Sequence, residues 1–358
     1  MGTDPVAFLE DTVPIESHED VSEMRDYLVE NVTGATEHAS GCVVAEKGDG
    51  EETVILNTHM DTVAPHVPYG RDEGVVRGRG ACDAKGPLAA MVSAYERFDA
   101  SESDRTVRLV VSPDEETTSQ GIYDYLREEA EGGEAGGFAD FAVVGEPTSL
   151  DICTAAKGRY EATVVFHGES AHAASGDGRN AVSCAAEAVR RLEALEGSHD
   201  ELLGESRLTV TRFEGGESSN QVPERATVTL DRRPLPDETE EDFVTMVEEA
   251  LKGINCGYEV VLPDSPSPES AAFRTDEDND YVRRFVGAVR ETCGDADVRP
   301  FGAACEASYI AEHAPVVVFG PGAISEDDGT PVAHSEREYV RTDEVRKAAD
   351  ALTRFLQS

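Results

Sequence analysis

The chain has 358 residues, and 73 Asp and Glu against 31 Lys and Arg leave a formal net charge of −42. That length suggests two or three domains with a sizeable core, while the charge argues against a nucleic-acid binder, which needs clustered Lys and Arg to neutralise phosphates. No apolar run approaches the ~18 residues a membrane helix needs, and six acids in the first twenty residues, with no basic residue before Arg25, read against a secretory signal and for a soluble, cytoplasmic protein.

Taken in chain order, the first strong pattern is TVILNTHMDT from Thr53, a short apolar strand that ends in polar residues. Leu88, Met91, Val92, Tyr95 and Phe98 then make a helical stripe. A second strand starts at Val107 (VRLVVSPDEE), and the Gly-rich stretch 131–137 reads as a surface loop, since no Lys-Ser or Lys-Thr follows to make a phosphate cradle. A third strand starts at Phe141 (FAVVGEPT). Continuous apolar runs of this kind suit strands buried on both faces of an α/β sheet.

The middle of the chain behaves differently. A strand from Glu161 (EATVVFHG) is followed by a helix marked by Ala181, Val182, Ala185, Ala186, Val189 and Leu192. Strands follow from Arg207 and Arg225, then a helix near 240–252 and a last strand from Tyr258. The order β-α-β-β-α-β is that of a ferredoxin-like sandwich, and the Pro-rich stretch 264–270 closes it. Tyr281, Val282, Phe285, Val286 and Val289 then mark a helix, PVVVFGPG from Pro315 a strand, and Val345, Ala348, Ala349, Leu352 and Phe355 a final helix with Thr342 as its expected N-cap. The expected organisation is an α/β domain over 1–157 and 266–358, interrupted by a small inserted domain over 158–265.

Two compositional features qualify this. Twenty-six of the basic residues are arginine and only five are lysine. Extreme acidity with little lysine resembles proteins from salt-loving archaea, because in molar salt a Debye length of about 3 Å screens carboxylate repulsion. The seven cysteines, Cys42, Cys82, Cys153, Cys184, Cys256, Cys293 and Cys305, are scattered with no C-x-x-C pair. They read as reduced, mostly buried thiols, and not as a zinc site.

The chemistry-bearing residues gather at strand ends. His59 and Asp61 end the first strand, Glu115 and Glu116 the second, Glu146 the third, and His334 follows the fourth by a loop. Ligands of open α/β sheets bind at the carboxyl ends of strands. Carboxylates and imidazoles converging there repel one another unless a cation neutralises them, and His with several carboxylates is a borderline zinc environment. Singly, each has an ordinary reading: a loop H-x-D, Asp83 as a helix N-cap, DEE at 114–116 as a solvated face. His18, His38, His66 and His199 have no motif around them and read as surface residues. Order, spacing and placement together point to a metal.

HMDTV, GRGACDAKG, SPDEETTSQG, VVGEPT and AHSEREYV, in that order, resemble the co-catalytic zinc amidohydrolase and metallopeptidase family, which includes acetylornithine deacetylase, succinyl-diaminopimelate desuccinylase, aminoacylase and carboxypeptidase G. One departure is Ala84, where many members have Met. The resemblance spans the chain and implies a di-zinc exopeptidase-like catalytic domain with an inserted ferredoxin-like lid and dimerisation domain. It further implies two Zn²⁺ per subunit, with Co²⁺ as a substitute: Asp83 bridging, His59 and Glu146 on one ion, Glu116 and His334 on the other. Asp61 would fix the His59 tautomer, Glu115 would be the general base, and a cis peptide would follow Asp83. His172 in GESAHAA would stabilise the oxyanion from the partner subunit. Asn220 and Arg233 would contact a substrate carboxylate, for which the Arg fork is suited, and Gly320 and Gly322 would let backbone approach the substrate.

The activity implied is hydrolysis of an N-acyl amino acid in arginine or lysine biosynthesis. Acetylornithine deacetylase is the nearest likeness, through Glu306 and the FGPGAI run. Succinyl-diaminopimelate desuccinylase comes next, and a lysine-pathway relative that releases a carrier-bound amino acid, a dipeptidase or carboxypeptidase on the same ions, and a non-catalytic amino-acid-binding relative are the further alternatives. Intact Glu115 argues against the last, and no G-x-S-x-G elbow supports a serine hydrolase.

Overall fold

The computed structural model describes residues 4–132 and 138–358. They form two compact units, Met1–Ala156 with Arg274–Ser358, and Lys157–Phe273. Most of the Gly-rich stretch, 133–137, lies outside the described residues, while residues 131 and 132 end the helix Gln120–Gly132. Among the described residues no helix is long and apolar enough to cross a membrane.

The first unit is built on a nine-stranded mixed sheet. Its centre is four parallel strands in the order Arg105–Ser112, Glu52–His59, Phe141–Val144 and Val316–Val318. Phe141–Val144 and Val316–Val318 are buried throughout, as the unbroken apolar runs require. The parallel register sets His59 opposite Ser112 and Asn57 opposite Val144, so the polar residues that follow these strands emerge on one edge. The helix Lys85–Arg97 is buried on every side over its first eleven residues, a wider contact than a single stripe. The helices Asp280–Cys293 and Thr342–Leu356 bury Phe285 and Phe355, and Phe285 stands edge-on to Phe319 and Phe355 at 5.2 and 5.1 Å between ring centroids. Thr342 is the first residue of its helix and not the N-cap: Arg341 holds that place without a side-chain cap, and Thr342 N–H donates to Gly74 O.

The second unit is a four-stranded antiparallel sheet in the order Arg207–Gly215, Arg225–Arg233, Tyr160–His167 and Gly257–Val261. The helices Ala181–Leu192 and Glu240–Leu251 contribute to one core with Ala162, Val164, Phe166, Val228 and Leu230, and Thr239 with Asp242 closes a capping box on the second helix. This is the ferredoxin-like order. The unit runs to Phe273 instead of ending at 265, because Arg159 N–H donates to Ser270 O at 2.8 Å and the Pro-rich segment doubles back along the start of the unit.

The expectation that all cysteines are free is corrected. Cys184 and Cys256 form a disulfide, with Cα atoms 6.2 Å apart across 72 residues of sequence. Packing the Ala181–Leu192 helix on the sheet brings them together, a proximity that spacing along the chain does not reveal. Cys42, Cys82, Cys153 and Cys305 are free and buried, and Cys293 is free and half-buried.

Candidate metal centre

The four parallel strands deliver the site from one edge of the sheet. His59 ends its strand 1% exposed, and its Nδ1–H donates to Asp61 O at 3.0 Å, with Asp61 Oδ1 at 3.3 Å. Its Nε2 faces Asp83 Oδ1 at 3.2 Å and Glu146 Oε1 at 4.0 Å, and in the neutral ring it is the nitrogen left for a metal. On the other side, His334 Nε2 lies 3.1 Å from both Asp83 Oδ2 and Glu116 Oε1. Asp83 thus turns one carboxylate oxygen to each imidazole. One ligand atom from each of His59, Asp83 and Glu116 lies within 4.8 Å of the other two. The peptide Asp83–Ala84 is cis, and His334 has φ of +61°.

Asp61 does more than orient His59. Its Oδ1 accepts the Glu115 N–H at 3.1 Å and its Oδ2 the Glu116 N–H at 3.0 Å, so one buried carboxylate ties the end of the first strand to the turn after the second. The neighbouring Asp114, grouped by sequence with a solvated acidic face, instead accepts the N–H groups of Gln120 and Gly121 at the start of the next helix. Sequence reading missed two partners. Glu306 is buried and accepts from Asn57 Nδ2 at 3.1 Å. Glu338 forms a buried ion pair with Arg79. In the sequence Glu306 is only a point of likeness and Glu338 sits inside AHSEREYV, but nothing there shows what either carboxylate touches.

Electrostatics strain the cluster. Burial pushes Glu115 and Glu146 well above the usual carboxylate range, and neighbouring carboxylates add to it. Burial likewise raises Glu306 to about 8. Burial alone would raise Asp83, yet hydrogen bonds to His334 and His59 hold it below its ordinary value. His334 is raised to about 10 by Asp83 and Glu116. Burial opposes charge on His59, but Asp61 and Asp83 raise it well above the ordinary value. Asp83, Glu115, Glu116 and Glu146 line a cavity of about 230 Å³ with no Lys or Arg in its wall. So many buried carboxylates with no Lys or Arg among the described lining residues call for a cation, and mixed His and carboxylate donors fit divalent ions.

The other expected residues lie elsewhere. Gly320 and Gly322 are buried with their N–H groups bound to Thr148 Oγ1 and Glu344 Oε2. A Cβ on Gly320 would meet Glu146 O at 2.6 Å, and one on Gly322 would meet Cys82 Cβ at 2.6 Å. Their smallness lets the ligand loops pack together. In the second unit His172 pairs with Gln221, and Ala173 N–H donates to Asn220 O at 2.9 Å, which brings His172 and Asn220 together on exposed loops. Arg233 lies at the far end of its strand from Arg225, roughly 27 Å along eight extended residues. Its guanidinium is paired with Asp231 at 2.8 and 3.2 Å. Arg232 faces the core and binds Glu238 and Ser206.

A His, Asp and Glu cluster beside the carboxyl ends of parallel strands, with no Lys or Arg among the described residues of the cavity wall, has the donor set of a metal-dependent hydrolase. The chain belongs to peptidase family M20/M25/M40, whose family model matches residues 55–358. It is similar to a LysW-lysine hydrolase of Deinococcus radiodurans, 29% identical over 93% of this chain and 90% of the relative. It is also similar to an acetylornithine deacetylase of Yersinia pseudotuberculosis, 27% identical over 82% of this chain and 76% of the relative. The aminopeptidase PepT of Bacillus cereus shares the fold, with a TM-score of 0.80 at 20% identity over 99% of this chain and 97% of that structure.

Proposed function

We propose that the chain hydrolyses the amide bond of an N-acyl amino acid, with two zinc ions per subunit held by His59, Asp83 and Glu146 on one side and by Asp83, Glu116 and His334 on the other. The observation that carries this is the shared Asp83 carboxylate, one oxygen toward each imidazole. Two such ions supply Lewis acidity toward the scissile carbonyl and lower the pKa of water. Glu115, held by its backbone to Asp61, takes a proton from the attacking water as its oxygen bonds to the carbonyl carbon. Glu115 then gives that proton to the amide nitrogen as the C–N bond breaks, and the second proton of the water follows to the released amine, so the products are a carboxylate and a free amino acid with a protonated amine. Asp61 holds the Glu115 turn and the His59 tautomer in one arrangement throughout.

The acyl-amino-acid reading is supported by likeness to a deacetylase, and likeness to a LysW-lysine hydrolase supports release of an amino acid from a carrier as its nearest variant. Purified protein assayed in molar potassium chloride against N-acetylornithine, N-succinyl-diaminopimelate and unblocked dipeptides tests it. Turnover of dipeptides alone would replace the reading with a dipeptidase.

In this proposal His172 donates to the developing oxyanion. Its Nδ1 accepts the Ala174 N–H at 3.2 Å, so a neutral ring carries its proton on Nε2, the nitrogen a donor role needs. His172→Ala is expected to lower kcat by ~10²–10³ with little change in KM. Arg233→Ala is expected to raise KM for N-acyl amino acids and to matter far less when their carboxylate is amidated. Because His172 sits in a two-stranded ladder just before Arg225, and Arg233 at the other end of the strand that Arg225 begins, we assign them to different subunits of a homodimer. Mixing inactive Glu115→Ala and His172→Ala chains should then restore activity, and no recovery after proven subunit exchange would reject that assignment.

The same proposal includes adaptation to high salt, supported by the charge of −42 and the scarcity of lysine. The melting temperature should rise from dilute buffer to molar potassium chloride, as screening removes carboxylate repulsion. A flat or falling profile would reject it.

A further inference from the structure

We infer that Arg79 and Glu338 are a positioning pair for the metal centre: their buried ion pair ties the loop carrying Asp83 to the loop carrying His334 and so sets how the two ligands face each other. The inference rests on the metal-centre reading above and on nothing about the substrate.

Arg79 is 2% and Glu338 1% exposed, and Arg79 Nη1 donates to Glu338 Oε2 at 2.6 Å. Stability alone is a weak reason to keep charges so deep, since a well-packed apolar pair is often as stable or more so. What distinguishes this pair is where its remaining hydrogen bonds go. Glu338 Oε1 accepts the N–H groups of Cys82 and Asp83, both at 3.2 Å, and so holds the backbone of the shared ligand. Arg79 donates to Ser335 O at 3.3 Å and His334 O at 3.5 Å, and so holds the backbone of the facing ligand. A third bond, from Nε to Pro65 O at 3.1 Å, fixes the guanidinium plane.

The pairing follows from local topology. The strand Val75–Arg77 runs antiparallel to Tyr339–Arg341 with Arg77 opposite Tyr339, and Gly78 N–H donates to Glu338 O at 3.1 Å. Arg79 and Glu338 therefore extend a ladder just before it opens into the two ligand loops. Two N–H donors converge on one oxygen, which suits a full carboxylate. A glutamine there would accept more weakly or turn its own N–H groups toward Arg79.

The test compares wild type, Arg79→Met, Glu338→Gln and the double variant Arg79→Met/Glu338→Leu. Each is stripped of metal, checked for a native circular-dichroism spectrum and a cooperative melt, and titrated with cobalt(II) against a chromophoric chelator while the cobalt absorption is recorded. All three variants are expected to bind cobalt ~10–100-fold more weakly, the usual effect of removing groups that orient ligands, with an altered spectrum. The double variant should regain most of the lost melting temperature, since no charge is left unpaired, without regaining affinity. Wild-type affinity and spectrum in the folded double variant would overturn the inference, whether or not the single variants fold. Absence of cobalt binding by wild type would instead remove the metal centre itself, and the inference with it.

Discussion

Glu115→Gln is expected to lower kcat by ~10²–10⁴, the scale of general acid–base catalysis, while metal content, folding and KM stay close to wild type. The neighbouring Glu116→Gln is expected to do the opposite at the centre: metal content falls, and activity returns in part when excess zinc or cobalt is added. The contrast follows from geometry. Both residues hang from Asp61 by their backbone N–H groups, but the Glu116 carboxylate is the one that meets His334 Nε2, at 3.1 Å. Glu115 lines the cavity and has no such contact to an imidazole among the described residues. Metal analysis and steady-state kinetics on the two variants check this. If Glu115→Gln loses metal and Glu116→Gln keeps it, base and ligand are exchanged.

The second large effect concerns Asp83. Protein purified without chelator should carry close to two divalent ions per chain, and Asp83→Ala should carry fewer than one and show no measurable turnover. Both imidazoles lose their common partner in that variant, whereas His59→Ala and His334→Ala each remove a donor from one side only. Each single histidine variant should therefore retain about one ion, with the shared carboxylate still in place. Wild-type metal content in Asp83→Ala would show that this residue is not the bridge. Exhaustive chelation should abolish turnover, and two equivalents of zinc or cobalt should restore it.

Much of this was legible in the chain itself. Strand runs such as VIL from Val54 and FAVV from Phe141 are buried on both faces, so they are apolar at every position, and their polar exits mark the edge where ligands gather. The inserted unit announces itself through its β-α-β-β-α-β order, which alternation and helical period both encode locally. Residue types suited to a divalent ion stand in motif order, His59, Glu116 and Glu146 at or just after those exits and Asp83 and His334 in loops.

The tertiary structure decided what each of those side chains faces. Asp61 holds the turn bearing Glu115 and Glu116. Gly320 and Gly322 pack against the ligand loops, and their N–H groups are not left for substrate. Arg233 is already paired with Asp231, and Cys184 meets Cys256. Arg79 finds Glu338 through a strand pairing between distant parts of the chain. The physical reason is common to all of them. Strand and helix patterns are set by burial of neighbouring residues, a local property that sequence period records. A hydrogen bond or ion pair depends on a few ångströms between groups far apart in the chain, and only the packed fold fixes that distance.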